Sequence, residues 1–375
     1  MTMSSIPPYL TKIQDWTPYT EINIGGRWLK GPALLSWCEE RLAFNPTHIE
    51  AVLADFLVRW IDVTEDYIVQ QSSGSTGRPR PIRLSKISLV NSALMTASFF
   101  RLGLESHLLL CLSPAYIAGK MMIMRAIVSG ATLHLLAPSA HPLSEVPPGQ
   151  HFTLAALTPP QLLPVIQHSI LHQFDNLLIG GAPFPETATT TLPTSPPAIY
   201  SSYGMTETAS HIALRQLNAP NASPLYTCLP GISVESGPGD CLRICAPHLL
   251  SQPLLTTDVA IVHTPHQFSI LGRQGNVVNS GGLKLHPELI EKKLQHHLPY
   301  PFFLAGIPDP VWGQSLAIFV EKPSWYPQEE QQLQKIFTEI IPKTEKPRQV
   351  FVVKHFDYTD TGKINRQATI KKLNL

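Results

Sequence analysis

The residues best suited to chemistry fall into short, well-separated segments. Ser72-Ser73-Gly74-Ser75-Thr76-Gly77-Arg78-Pro79-Arg80 follows a strand-like YIVQQ and sets hydroxyls, bare backbone N–H groups and guanidiniums side by side. Glycine lets such a backbone close on an anion, so a phosphate cradle is one reading and a flexible Gly/Ser turn the other. It is not a Walker loop, because the G-x-x-x-x-G-K-[ST] spacing is absent and PIRL continues as a strand where a helix would open. Tyr200 to His211, YSSYGMTETASH, offers an aromatic face at Tyr203, a hydroxyl at Thr206 and a carboxylate at Glu207 just beyond a strand end. Open α/β sheets take ligands there. An adenine ring, a phosphate and a magnesium ion would each find a partner, since magnesium needs few protein carboxylates when phosphates supply other ligands. A core tyrosine and a solvated glutamate are the plain alternatives. Asp258 in LLTTDVA and Arg273 in LGRQGN could bracket a ribose by accepting and donating hydrogen bonds. Gly281-Gly282 in NSGGLKLHPELIE could admit a slender ligand against bare backbone, although surface turns explain either feature alone. Lys363 in TDTGKINR sits on a turn after a strand, a place where an isolated lysine is usually solvated.

Those segments need a scaffold, and the composition supplies one. The chain has 375 residues, 43% of them hydrophobic, which is ample for a folded core and excludes a disordered or fibrous protein. Its 36 prolines imply many turns, and only 15% of residues are charged. Lys plus Arg (28) nearly cancels Asp plus Glu (27), so no global field draws the chain onto nucleic acid or an acidic membrane. Five scattered cysteines without a C-x-x-C pair speak against a disulfide framework or a zinc knuckle, and a reducing cytoplasm fits them. MTMSSIPPYL lacks the basic and apolar regions of a secretory signal. The apolar stretch Leu108 to Ala137 is interrupted by Lys120 and Arg125, so no membrane span is expected.

Periodicity then places the elements. Ile49, Val52, Leu53, Phe56, Leu57 and Trp60 recur at helical spacing, and Ile87, Val90, Leu94 and Ala97 share another helical face. Short apolar runs, HLLLCLS, ATLHLLA, FTLAALT, NLLIGG and AIYSSYG, alternate with helical segments, which reads as α/β. LRICAP, VAIVHTP and FSILGR leave no room for helices and suggest hairpin-connected strands of a separate antiparallel sheet. From about Gln274 the units become smaller. HPELIEKKLQHHL predicts a helix with Pro287 at its start, and Leu333, Ile336, Phe337, Ile340 and Ile341 predict another, framed by the strand-like SLAIFVEK and RQVFVVKHF. The expected division is a large domain over 1–273 and a small α+β domain over 274–375.

Taken in order, these segments resemble the acyl-adenylate-forming superfamily of acyl-CoA synthetases, peptide-synthetase adenylation domains and firefly luciferase. SSGSTGRPR looks like its pyrophosphate-contacting loop, YGMTETAS resembles its adenine, phosphate and magnesium motif, TTD with GR is similar to its ribose pair, and TDTGKINR resembles its catalytic-lysine segment. The resemblance spans roughly residues 67 to 370. It implies a large N-terminal α/β domain of layered sheets and helices with a small mobile C-terminal domain, and an enzyme that uses ATP, magnesium and CoA. It further implies nucleotide binding by Ser72, Ser73, Gly74, Ser75, Thr76, Gly77, Tyr203, Gly204, Thr206, Asp258 and Arg273, magnesium at Glu207, catalysis by Lys363 with Thr206 and Glu207, and pantetheine beside Gly281 and Gly282. Three departures stand out: Arg80 replaces a common lysine, Tyr116 in SPAYIAGK replaces a common histidine, and Gly275 lies where the family's hinge usually carries Asp or Lys nearby.

The segment ahead of the phosphate loop is short for this superfamily. Its compact members include the ligases that join the aromatic dicarboxylate o-succinylbenzoate to CoA in menaquinone synthesis, and YGMTETAS is similar to theirs. A CoA ligase for another aryl or short acyl acid, and a catalytically silent nucleotide- or acyl-binding protein, are the alternatives. A dicarboxylate needs a cation away from the reaction centre, and Lys120 and Arg125 in the apolar, helical AGKMMIMRAIVSG are candidates. Five residues apart, they do not share a face. One of Lys120 and Arg125 is expected to bind substrate and the other to reach solvent, with Arg125 the first choice for the substrate; the plain alternative is that both snorkel to the surface. Gly180 and Gly181 would leave room for a flat acyl group, Tyr116 would gate it, and His211 lies near the adenylate motif.

Overall fold

The computed structural model of the chain describes residues 14–43, 45–71, 80–194, 196–358 and 364–373. A hairpin of β1 (Ile22–Ile24) and β2 (Arg27–Leu29) leads into α1 (Gly31–Leu42) and α2 (Ile49–Ile61). The helical spacing in α2 is realised: Ile49, Leu53, Phe56, Leu57 and Trp60 are all buried, each such side chain contributing about 1.5–3 kcal/mol by leaving water. β3 (Tyr67–Gln71) and β4 (Pro81–Ser85) form a separate antiparallel ribbon, whose far end carries the segment 72–79. α3 (Lys86–Phe100) follows directly.

Alternation of strand and helix then begins with β5 (His107–Leu110), α4 (Ile117–Ser129), β6 (Thr132–Leu135), β7 (Phe152–Leu157), α5 (Pro159–Leu162), β8 (Phe174–Ile179), α6 (Glu186–Thr189) and β9 (Ala198–Met205). β6, β5, β7, β8 and β9 lie side by side and parallel. The chain passes from β5 to β6 on one side and to β7, β8 and β9 on the other, so the order reverses beside β5. Ligands of open α/β sheets bind outside the carboxyl ends of strands at such a reversal. The segments holding Tyr116, Gly180, Gly181, Thr206 and Glu207 all follow carboxyl ends on that side.

β10 (Ser210–Gln216) turns back antiparallel on β9, and β11 (Tyr226–Cys228), β12 (Ser233–Ser236), β13 (Cys241–Cys245), β14 (Leu254–Thr264) and β15 (Gln267–Arg273) continue antiparallel. The expected separate sheet is not found. The ladder runs without a break through β12-β13-β14-β15-β11-β10-β9, giving one 13-stranded sheet. β11 closes the gap by pairing with both β10 and β15, a non-local arrangement that period-2 patterns do not encode.

The remaining residues build a five-stranded sheet from β16 (Val278–Ser280), β17 (Leu283–Leu285), β18 (Phe302–Asp309), β19 (Gly313–Glu321) and β20 (Gln349–Val353), with α7 (Pro287–Leu294), α8 (Pro327–Ile340) and α9 (Arg366–Lys372). β19 and β20 are parallel, and parallel neighbours need a crossover, which α8 provides with Leu333 and Phe337 buried. Two apolar clusters, one around Leu294, Leu304 and Phe337 and one around Phe303, Phe319 and Phe356, contain no residue before Val278. Among the described residues, no helix is long and apolar enough to cross a membrane.

Candidate active site

Three strands bring together the nucleotide-side candidates. Asp258 on β14 and Arg273 at the end of β15 are register partners, and Arg273 Nε lies 2.6 Å from Asp258 Oδ1. Tyr203, on β9, donates its O–H to Asp258 Oδ2 over 2.7 Å and packs edge-on against Phe268, with centroids 5.1 Å apart. Asp258 is buried, while Arg273 remains half-exposed. Burial first, and then the Asp258 carboxylate, hold the Tyr203 phenol well above its usual range. The expected bracket is thus a joined unit. The carboxylate orients tyrosine and guanidinium together, and each oxygen keeps a further acceptor site.

Just beyond Tyr203 the backbone makes a tight turn at Thr206–Thr208. Met205 N donates to Thr208 Oγ1 at 3.1 Å, and Thr208 Oγ1 donates to the Ser210 carbonyl at 2.7 Å. Ala209 (φ 51°) and Ser210 (φ 97°) occupy the positive-φ region, which costs a non-glycine residue roughly 1–2 kcal/mol. Gly204 has a packing reason: a Cβ there would lie 2.2 Å from the Ser210 carbonyl oxygen and 2.4 Å from His211 Cα. The turn presents Glu207 to solvent, and no hydrogen bond or ion pair with the described residues engages its carboxylate. β4 packs against this turn. Gly180 and Gly181 end β8 next door. A Cβ on Gly180 would lie 2.7 Å from Ser202 Oγ, and Gly181 has φ 83°. Ser72, Ser73, Gly74, Ser75, Thr76, Gly77 and Lys363 lie outside the described residues.

On the acyl side the two cations separate. Tyr116 is exposed at the N-terminus of α4. Lys120 is partly exposed and tied down: its Nζ donates to Gln70 Oε1 at 2.6 Å, and burial lowers its pKa to about 8. Gln70 is itself buried and donates to the Ala115 and Gln71 carbonyls, so Lys120 fastens β3 to the segment before α4. Arg125 is 1% exposed. Burial lowers its pKa to about 9, which leaves it charged at neutral pH. Its Nη2 lies 3.3 Å from His211 Nδ1, and His211 Nε2 lies 3.3 Å from Thr96 Oγ1. His211 is therefore engaged at both nitrogens. Gln70 and Thr96 escaped the sequence reading because neither belongs to a motif.

Gly281 and Gly282 form the two-residue loop of the β16–β17 hairpin with φ 56° and 86°, the pattern of a type I′ turn. Trp312 lies over Gly281 and accepts its N–H through the backbone carbonyl at 2.9 Å, whereas the space beside Gly282 is open. Among the described residues no three His, Cys, Asp or Glu side chains converge as a metal cage. A lone, unengaged Glu207 still fits a magnesium ion carried largely by phosphates.

The class follows from comparison with known proteins. The AMP-binding enzyme family profile matches residues 40–235, more than half of the chain, and the chain belongs to that family. Among individual relatives, the 2-succinylbenzoate--CoA ligase of Geobacillus sp. (strain WCH70) is 25% identical over 333 residues, covering 80% of this chain and 67% of that protein. The probable 2-succinylbenzoate--CoA ligase of Mycobacterium tuberculosis is 24% identical over 364 residues, covering 91% of this chain and 94% of that protein. An acyl-CoA synthetase (AMP-forming)/AMP-acid ligase II-like protein from Dyadobacter fermentans is 32% identical, covering 90% of this chain and 98% of that one, with a TM-score of 0.59. The O-succinylbenzoate coenzyme A synthetase of Bacillus subtilis, solved with ATP and magnesium, covers 95% of this chain and 99% of its own at TM-score 0.75; its 14% identity speaks for the fold alone. The α/β fold with a large N-terminal and a small C-terminal part is that of adenylate-forming enzymes.

Proposed function

We propose that the chain is an AMP-forming acid–CoA ligase whose acid is 2-succinylbenzoate. The observation that carries the nucleotide half is the meeting of Tyr203, Asp258 and Arg273, brought from three strands to the carboxyl end of β9 beside the Thr206–Glu207 turn. The named relatives and the buried Arg125, to which no carboxylate of the described residues is paired, support the dicarboxylate. In this reading the division of labour falls at 273/274, and a cytoplasmic location belongs to the same proposal.

The residues then take the following roles. Tyr203 stacks on adenine, while Asp258 and Arg273 hold the ribose hydroxyls. Ser72 to Gly77 cradle the pyrophosphate and Thr206 reaches a phosphate oxygen. Glu207 would hold magnesium, which when bound neutralises phosphate charge. A carboxylate oxygen of the acid attacks the α-phosphorus as pyrophosphate leaves. Like charges meet in that step, so stabilisation by Lys363 is the main catalytic contribution. The thiol of CoA, losing its proton, then attacks the acyl carbonyl as AMP departs, with pantetheine passing Gly282. Pyrophosphate release across a panel of acids, with hydroxylamine trapping of the activated acyl group, tests this reading. The expected result is selective turnover of 2-succinylbenzoate, lost in Lys363→Ala with ATP still bound. Turnover of a different acid alone removes the substrate assignment, and equal turnover by Lys363→Ala removes the lysine's role.

A further inference from the structure

Arg125 is held in an unusual way for a buried cation. Nη1 faces the Met122 thioether at 3.1 Å, Nη2 faces His211 Nδ1 at 3.3 Å, and the buried Nε has no partner among the described residues. A thioether and an imidazole are neutral and weak acceptors. They hold the guanidinium without cancelling its charge, and an uncompensated buried charge is strongly unfavourable.

The direction of each proton can be worked out from the far end. Thr96 Oγ1 is 3.1 Å from the Ser92 carbonyl and 3.3 Å from His211 Nε2. A hydroxyl has one proton, and a carbonyl can only accept. Thr96 therefore donates to Ser92, and its oxygen is left to accept from His211 Nε2–H. That fixes the imidazole as the Nε2–H tautomer with a bare lone pair on Nδ1. Nδ1 is the atom that meets Arg125 Nη2, with Ser210 Oγ further off at 3.5 Å. A proton on Nδ1 would point an N–H at a guanidinium, and burial together with Arg125 holds the His211 pKa well below its usual value. The relay joins three elements: Thr96 from α3, Arg125 from α4 and His211 from β10.

We propose that Thr96 and His211 are positioning residues that aim the Arg125 guanidinium: Thr96 fixes the tautomer, His211 Nδ1 anchors Nη2, and the unpartnered Nε–H is left for the distal carboxylate of the acid. This deepens the proposed function, because it rests on Arg125 binding that second charge. His211→Leu removes the acceptor, Thr96→Val removes the tautomer lock, and His211→Asn restores an acceptor through Oδ1. Steady-state kinetics of the full chain with 2-succinylbenzoate and ATP should show the acid KM rising at least about tenfold in His211→Leu and about threefold or more in Thr96→Val. The kcat and the KM for ATP should stay within about threefold, and His211→Asn should return the acid KM close to wild type. About tenfold corresponds to ~1.4 kcal/mol, the size of one good hydrogen bond. A merely structural role would move all constants together and would not be rescued by asparagine. Should His211→Leu fail to fold, an unchanged acid KM in Thr96→Val overturns the relay. An acid KM raised in Arg125→Ala but unchanged in His211→Leu overturns the relay and leaves the role of Arg125 standing. An unchanged acid KM in Arg125→Ala, or no wild-type turnover of 2-succinylbenzoate, overturns both.

Discussion

Tyr203 and Asp258 show how one carboxylate can do two jobs at the proposed nucleotide site. Asp258 keeps both oxygens in contact with protein donors, Tyr203 O–H at 2.7 Å and Arg273 Nε at 2.6 Å, and so sets ring and guanidinium relative to each other. Removing one donor should hurt less than removing the charge. Tyr203→Phe keeps the ring that would stack on adenine and loses one hydrogen bond to a charged acceptor, a contribution of about 1.5–3 kcal/mol to stability. Its KM for ATP should rise less than about tenfold. Asp258→Asn keeps the shape but removes the negative charge that orients both groups, and its KM for ATP should rise by more than that of Tyr203→Phe. A melting curve for each variant beside its ATP-dependent kinetics checks the order. If Asp258→Asn proves the milder of the two, the carboxylate is not the organising group.

Local elements carry pH information as well as shape. Glu291 on α7 accepts from Leu304 N on β18 at 2.6 Å and from Arg366 Nη2 on α9 at 2.7 Å, so it pins three elements of the small part together. Burial pushes its pKa up to about 6, and nearby Glu288 adds to the rise; Arg366 and the Leu304 N–H pull the other way. Since the folded value lies above the ordinary 4.5, the folded chain holds this proton more tightly than the unfolded one. The associated stability is complete below pH 4.5 and is lost as pH rises through 6, by about 2 kcal/mol. Urea unfolding of Glu291→Gln and wild type at both ends of that window should show the variant gaining on wild type as pH rises; parallel profiles would contradict a raised pKa. Elements of this kind were legible in the sequence where their contacts are local. α2, α3 and α8 follow their apolar period, and β5 through β9 are the short apolar runs expected. The antiparallel strands read as a second sheet from sequence because their link through β10 and β11 depends on pairing between distant segments. The same limit hid the relay: Arg125 and His211 could be singled out by type, but Thr96 gains meaning only when α3, α4 and β10 pack together.

At the scale of the whole molecule, the described ion pairs between the large and small parts lie at the surface. Glu288 of α7 lies against Gly272, and Lys292 and Lys284 approach Glu186 and Asp240 at 3.7 Å each. Exposed pairs of this kind typically contribute about 0–1 kcal/mol. Such surface pairs suit the mobile small domain that the resemblance implies, and we propose that it turns between adenylate formation and thioester formation. The link runs through Gln274–Asn276, where Val277 N donates to the Gln274 carbonyl at 3.2 Å and closes a turn with Gly275 second in it. A Cβ on Gly275 meets nothing within 4 Å. Proline is favoured at that second position, where its ring presets φ near −65°. Gly275→Pro should therefore preserve the fold, with a melting temperature equal to or above wild type, while restraining the backbone to its present turn. If this turn is the pivot, single-turnover measurements should separate the half-reactions. The one that uses the present orientation should stay within about threefold of wild type, and the other should fall at least about tenfold, a barrier change of ~1.4 kcal/mol or more. Equal rates in both half-reactions, wild-type or slowed alike, would place the pivot elsewhere along the connection and leave Gly275 as an ordinary turn residue.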